Sequence, residues 1–397
     1  MFDGMGSIDQ IYGIQSPDDV RYGMGATREL EDFAAEHEFE SALVVTDADV
    51  VAAGAVDPAF DALSAAGVEV RTYDGVRAEP KLAMAEEAGE ALTDSDADLV
   101  VGVGGGSCMD TAKLASVLAE HDVPIREMVG MGNVPGPGRP VALVPTTAGT
   151  GSEVTHIGVF ADAADGDNKV VIYSPHLFCD LAIVDPELTR SLPPSVAAAT
   201  GMDALSHAIE SYVSTLRSPY TDALARRSIE LIGANLREAV LQGRDNDDAR
   251  YRMSLAATMA GQAFVNSGLG AVHALTYPLG VEYGIGHGRA NAVLLPHVMR
   301  FNAPAEPDRL ADVSRLLGVR ERPGETALEL ARRGGDAVAA LNEDIDIPNR
   351  IRELGEITEE EFEDFADVAL EYSRHNIERN PRSMDRSDVI ELFREAY

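Results

Sequence analysis

Short, unbroken apolar runs punctuate the first half of the chain. Ala42–Thr46 (ALVVT), Leu99–Val103 (LVVGV), Val141–Val144 and Ala182–Val184 read as strands, and Val68–Tyr73 (VEVRTY), less continuously apolar, is a further candidate. A helical pattern ends at Gly67, and another covers Met109–Leu118. Continuous rather than alternating apolar runs, separated by helices, predict a parallel sheet covered on both faces. After Pro193-Pro194 the strand-like runs vanish and Ala/Leu/Glu/Arg-rich helical periodicity takes over. Leu205, Ile209 and Tyr212 mark one apolar stripe, and Leu224, Ile229 and Ile232 another. The pattern predicts an α/β N-terminal domain with a parallel sheet over residues 1–190 and an all-α C-terminal domain over 191–397. The acidic stretch Glu343–Asp364 reads as surface.

Composition adds a size and a solvent. A chain of 397 residues, 45% of them hydrophobic, carries enough apolar mass for two cores. Asp and Glu number 67 against 32 Lys and Arg, for a formal net charge of -35. Such a surface repels nucleic acid and anionic lipid, which excludes both as partners. The carboxylates are dispersed, and lysine occurs only at Lys81, Lys113 and Lys169. This combination suits a salt-in halophile, where concentrated salt screens the self-repulsion. No apolar run reaches membrane-spanning length and the start does not read as a secretory signal, so the expected location is cytoplasmic. Cys108 and Cys179 form no CxxC pair and cannot build a disulfide framework.

Two loops carry candidate nucleotide chemistry. Gly102-Val103-Gly104-Gly105-Gly106-Ser107 closes a strand and opens a helix. Glycines there let backbone N–H groups approach a phosphate, and the helix N-terminus adds partial positive charge. The spacing differs from GxGxxG, since Ser107 stands where the last glycine would be. The second loop, Pro145-Thr146-Thr147-Ala148-Gly149-Thr150-Gly151-Ser152-Glu153, follows the next strand, at the edge where open α/β sheets bind ligands.

The helical half carries candidate metal chemistry. Asp203 and His207 are four apart and share a helix face. His273 lies in GAVHALTYPLG, a helical pattern, and His287 lies between two glycines that let its imidazole project. Three imidazoles and a carboxylate suit a borderline divalent ion, Fe(II), Zn(II) or Mn(II). The other histidines show no such grouping.

These motifs together resemble the iron-containing (group III) alcohol dehydrogenases, relatives of glycerol dehydrogenase and dehydroquinate synthase. The resemblance runs through Val44–Asp47 (VVTD), Gly104–Lys113 (GGGSCMDTAK), Pro145–Thr155 (PTTAGTGSEVT), Ala199–Tyr212 (ATGMDALSHAIESY), Gly270–Gly280, His287–Asn302 and Asn380–Arg382. It implies a dehydroquinate-synthase-like nucleotide domain, a helical metal domain and a cleft between them. It implies metal ligation by Asp203, His207, His273 and His287. The cofactor residues implied are Gly104, Gly105, Gly106, Ser107 and Asp110 in the first loop and helix, and Thr146, Thr147 and Thr150 in the second. Lys169 looks like the family lysine near the cofactor, and Asp47 matches the acidic residue on the adenosine ribose. A carboxylate there repels a 2′-phosphate, so the expected cofactor is NAD rather than NADP. The resemblance also implies a homodimer or larger homo-oligomer.

One position departs from the pattern. Many members carry a further histidine four residues after the third ligand, where this chain has Tyr277. The hydroxyacid–oxoacid transhydrogenases look similar there and at Val76–Pro80, so the substrate is an alcohol, its aldehyde, or a hydroxy acid. The expected reaction is metal-assisted hydride transfer between NAD(H) and a small alcohol/carbonyl pair, with Tyr277 as candidate proton relay. The alternatives are a transhydrogenase using a 2-oxoacid acceptor, a dehydroquinate-synthase-like lyase, and a non-catalytic nucleotide-binding protein. The scarcity of lysine argues against the lyase, and the complete ligand set against the last.

Overall fold

The continuous apolar runs become parallel strands. In this computed structural model, which describes residues 10–166 and 168–397, β1 (Asp19–Tyr22), β2 (Ser41–Asp47), β3 (Glu69–Val76), β4 (Leu99–Gly104), β6 (Val141–Pro145) and β9 (Leu181–Val184) form one sheet. Their spatial order is β1-β9-β6-β4-β2-β3, and every neighbouring pair is parallel. Helices α1 (Glu29–Glu36), α2 (Ala48–Ala52), α3 (Asp57–Ala65), α4 (Leu82–Ser95) and α5 (Gly106–Glu120) connect the strands. Because side chains alternate along a strand, one sheet feeds two cores. Val44, Val101 and Val103 pack with Leu30 and Phe33 of α1 and Leu63 of α3. Leu43, Val45 and Val100 pack with Leu92 of α4 and with Met109 and Ala112 of α5.

Two features of this unit depart from the sequence pattern. The run at Val68–Tyr73 becomes β3, which pairs only with β2 and leaves most of its side chains exposed or half-buried until Val76. It is an edge strand, not a covered one. A second, three-stranded sheet also forms from β5 (Gly130–Met131), β8 (Asn168–Tyr173) and β7 (Ile157–Asp162), in that order. β7 and β8 are antiparallel, so the unit is not purely parallel. Ile172 and Phe160 of this sheet pack on Leu114 and Val117 of α5.

The chain divides into Gln15–Leu192 and a helical unit, Pro193–Tyr397, and the described residues Gln10–Ile14 group with the helical unit rather than with the α/β domain expected over 1–190. The helices of the latter are α6 (Pro194–Val213), α7 (Pro219–Leu241), α8 (Asp247–Ser267), α9 (Ala271–Tyr283), α10 (His287–Asn302), α11 (Pro307–Leu316), α12 (Ala327–Asp344), α13 (Phe362–Tyr372), α14 (Arg374–Arg379) and α15 (Arg386–Ala396). Every residue of α6 from Gly201 to Val213 is buried. The expected stripe of Leu205, Ile209 and Tyr212 is therefore one face of a helix enclosed on all sides. A helix enclosed all round is normally apolar throughout, yet this one also buries Asp203, His207 and Glu210. Burying such groups is costly unless they are paired or ligating. The stretch Glu343–Asp364 exposes its carboxylates as expected, but Ile345, Ile347, Ile351, Ile357 and Phe362 are buried. It is a core-anchored strap with an acidic outer face.

Candidate metal and cofactor sites

Three helices of the second unit bring four ligand atoms together. Asp203 and His207 come from consecutive turns of α6, His273 from the first turn of α9, and His287 opens α10. One ligand atom from each lies within 4.8 Å of all the others. Asp203 Oδ1 is 3.7 Å from His207 Nε2, 3.9 Å from His273 Nε2 and 3.6 Å from His287 Nε2. The His207 ring stacks on the His273 ring at 4.8 Å and packs against Phe264. Asp203, His207 and His273 are buried, whereas the His287 side chain is 39% exposed. The cluster therefore opens to solvent on the His287 side.

His287 is a helix residue rather than a loop residue, and its following glycine has a reason other than freedom. A Cβ on Gly288 would lie 2.2 Å from the Ala199 carbonyl oxygen. Glycine lets the start of α10 touch α6, which places His287 beside Asp203.

Asn291, one turn further along α10, was not read from sequence. Its side chain is fully buried, and Nδ2 donates to Asp203 Oδ1 at 2.7 Å. An acceptor so close requires the nitrogen, not the oxygen, to face it. The same N–H₂ group stands 3.3 Å from His273 Nε2 and 3.2 Å from His287 Nε2. With one of its two hydrogens on Asp203, the amide has one N–H left for one of these nitrogens, and the ring that accepts it carries its lone pair there, the metal-ligating form of imidazole. Burial pushes the Asp203 carboxyl up, but the field of His207, His287 and His273, with the Asn291 hydrogen bond, outweighs it and keeps the group ionised. One carboxylate and three imidazoles gathered this closely fit a divalent cation of borderline softness. The helical signal for Asn291 was available: it stands four residues after His287.

Tyr277 follows His273 by four residues on α9, hence on the same face. It is half-buried and stacks on Tyr372 of α13, with ring centroids 5.3 Å apart and planes within 7°.

The candidate cofactor residues lie in the first unit. Gly104, with φ of 152°, ends β4, and α5 starts at Gly106 with no side-chain cap. A Cβ on Gly104 would sit 2.5 Å from Cys108 Sγ, so only glycine makes this strand-to-helix turn. Gly105, Gly106 and Ser107 are half-buried, and the uncapped helix start offers its first N–H groups to an anion. In the second loop Thr146 is buried, Thr150 is half-buried, and the Thr147 hydroxyl oxygen is buried with no hydrogen-bond partner among the described residues. An orphan hydroxyl beside an uncapped helix start fits a phosphate-bearing ligand.

Asp110 and Lys113 of α5 face inward. Lys113 Nζ donates to Asp110 Oδ1 at 3.2 Å, Ser152 Oγ at 2.7 Å, Thr155 Oγ1 at 3.4 Å and the Ile157 carbonyl at 3.0 Å. Asp110 also accepts from Ser152 Oγ at 2.5 Å and the Val159 N–H at 3.0 Å. Both Asp110 oxygens are engaged inside the fold, so this pair ties the glycine-loop helix to the threonine loop. Asp47 Oδ1 caps α2 through the N–H groups of Asp49 and Val50, and its Oδ2 accepts from the Cys108 thiol at 3.4 Å. Burial, then the Asp47 charge, push the Cys108 thiol well above its ordinary value. Lys169 lies on β8 and pairs with Glu79 at 2.7 Å. Among the described residues no helix is long and apolar enough to cross a membrane.

Comparison with known proteins agrees with this division. A family model described as iron-containing alcohol dehydrogenase matches residues 17–186, and one described as the C-terminal part of the Fe-containing alcohol dehydrogenase family matches 197–397. The lactaldehyde reductase of Escherichia coli (strain K12) is 36% identical over 379 residues, covering 95% of this chain and 97% of the relative. The crystal structure of a 1,3-propanediol oxidoreductase matches with a TM-score of 0.93 and 36% identity, over 98% of this chain and 100% of that one. A sulfoacetaldehyde reductase from Bifidobacterium kashiwanohense, solved in complex with NAD+, matches with a TM-score of 0.88 and 29% identity, over 98% and 99% of the two chains.

Proposed function

The chain belongs to the iron-containing alcohol dehydrogenase family, and on that premise we propose that it interconverts a small alcohol and its carbonyl counterpart with NAD and a divalent cation, Fe(II) in the first place. Zn(II) and Mn(II) suit the same donors. The observation that carries the reading is the convergence of Asp203, His207, His273 and His287, with the buried Asn291 amide hydrogen-bonded to Asp203 beside them. When bound, the cation supplies Lewis acidity toward an alcohol or carbonyl oxygen, and the nicotinamide supplies or takes the hydride.

The chain's own residues bind, orient and exclude water. Asp203, His207, His273 and His287 would hold the cation, and the cluster is open to solvent on the His287 side, where a substrate could approach. The backbone of Gly104, Gly105, Gly106 and Ser107, with Thr146, Thr147 and Thr150, holds the pyrophosphate, and Asp110 acts behind them through Ser152. Lys169 lies along the cofactor. Asp47 Oδ2 takes the adenosine ribose hydroxyls and turns away a 2′-phosphate. Tyr277 carries the proton. The net charge of -35 supports work in concentrated salt.

The test is NADH absorbance in molar KCl, with Fe(II), Zn(II) or Mn(II) and a panel of short alcohols, diols and hydroxy acids. Metal-dependent turnover is expected, lost in His273→Ala and His287→Ala. Full turnover in both variants without metal refutes the proposal. Oxidation of a hydroxy acid only with a 2-oxoacid acceptor, and without free NAD, assigns the chain to transhydrogenation.

A further inference from the structure

Glu210 is the third ionisable group buried in α6, and no role has yet been given to it. It lies one turn beyond His207 and is 3% exposed. Its Oε2 is 2.5 Å from His273 Nδ1, and its Oε1 accepts from the Val272 N–H at 2.6 Å. Helix α9 starts at Ala271 after Gly270, with no side-chain cap of its own. Glu210 therefore supplies the missing acceptor at that start, where the helix dipole favours an anion. A Cβ on Gly270 would lie 2.9 Å from Glu210 Oε1, so the carboxylate is seated directly against the turn.

We propose that Glu210 is the positioning residue of the cation centre, fixing both the tautomer and the ring orientation of His273. An ionised carboxylate only accepts, so the proton on the facing imidazole nitrogen belongs to Nδ1. Nε2, on the other side of the ring, then holds its lone pair on the side of Asp203, 3.9 Å away, where the Asn291 amide nitrogen also stands at 3.3 Å. Because Glu210 also fastens the first turn of α9, the ring is held at the backbone as well as at Nδ1. Carboxylates behind metal-bound histidines act in this way and typically change metal affinity about 10–100-fold.

The acceptor count gives the proposal its sharpest consequence. Two donors, the Val272 N–H and the His273 Nδ1–H, face two carboxylate oxygens. Glutamine keeps the shape but offers one oxygen and an N–H₂ group, so one donor must meet another donor. Glu210→Gln is thus a near-isosteric lesion rather than a silent one, and Glu210→Ala removes both contacts.

The proposal rests on the metal reading above, and the experiment separates their failures. Wild type, Glu210→Gln, Glu210→Ala and His273→Ala are stripped with chelator in molar KCl and titrated with Co(II), following the visible ligand-field band. Circular dichroism verifies that each variant is folded. Wild type is expected to bind one Co(II) per chain. Its proton spectrum should show solvent-exchangeable, hyperfine-shifted N–H resonances from the ligating imidazoles. Glu210→Gln should weaken binding about tenfold and Glu210→Ala toward a hundredfold, with an altered band and loss of one exchangeable resonance. If folded Glu210→Gln and Glu210→Ala both match wild type in affinity and spectrum, the positioning role is overturned. If wild type binds no Co(II), or binds it no better than His273→Ala, the metal reading fails and takes the proposal with it. Should Glu210→Ala not fold, Glu210→Gln alone decides.

Discussion

Lys113→Met removes the only cation of the buried network beneath the glycine loop, and its cost follows from the structure. The Lys113 side chain is 1% exposed and makes four hydrogen bonds, including that to Asp110. Methionine fills nearly the same volume, so the change is electrical rather than steric. Asp110, whose side chain is 12% exposed, keeps Ser152 and Val159 but loses its counter-charge. Removing one partner of a buried pair costs about 3–5 kcal/mol, because the other charge is left uncompensated. For a unit of this size each kcal/mol lowers the melting temperature by about 2–4 °C, so a fall of about 6–20 °C is expected. Calorimetry in molar KCl measures it. The double variant Lys113→Met/Asp110→Asn removes both charges and should melt above Lys113→Met alone, a coupling of opposite sign to simple addition. A loss below about 1 kcal/mol in the single variant, or a double variant that falls by the sum of the two singles, refutes this account.

Three further outcomes follow. Asp47→Asn keeps the α2 cap but removes the charge facing a 2′-phosphate. The ratio of kcat/KM for NADP over NAD should rise about 10–100-fold, equivalent to about 1.4–2.8 kcal/mol, and an unchanged ratio would remove Asp47 from cofactor choice. His156 is held near pH 4 by burial and by Lys113, and His297 also to about 4 by burial and by Arg300 and Arg350, against an ordinary value of 6.5. Both are therefore neutral when folded, and the unfolded chain takes protons first. Stability present above pH 6.5 should decline as pH falls toward 4, by about 1–2 kcal/mol per histidine after allowing for solvent screening, as denaturant titrations across that range would show. With 67 acidic against 32 basic residues, the melting temperature should climb with KCl up to molar concentrations, and an identical value at low salt would discard the halophilic reading.

The cluster of Asp203, His207, His273 and His287 was legible because chelation, where it occurs, imposes spacing. Asp203 and His207 must sit four apart on one face, and histidines are few enough for His273 and His287 to stand out. Glu210 was not legible, since a Glu in a helix ordinarily faces water, and Asn291 offered only its four-residue spacing from His287. Only the burial of α6 on every side, and the seating of α10 against it, shows them to be interior. The principal sheet was readable from its runs of Val and Leu. The edge position of β3 follows from strand order, which no single segment encodes, although its interleaving of Val70 and Tyr73 with Glu69 and Arg71 already sets it apart from the continuous runs. The small mixed sheet escaped because the polar turn between β7 and β8 masks the antiparallel pairing. In the stretch after Asp344 the density of carboxylates concealed the single isoleucines that anchor it.

Lysine, so sparse along this chain, is also unevenly placed. All three copies belong to the Gln15–Leu192 unit, and Lys113 is sealed inside it while Lys169 is engaged with Glu79. Among side chains, a fluorescent ester or an aldehyde resin should therefore land chiefly on exposed Lys81, and Pro193–Tyr397 offers it no lysine. An enzyme immobilised through Lys81 would be tethered by its α/β unit, and the imidazole cluster would carry no graft.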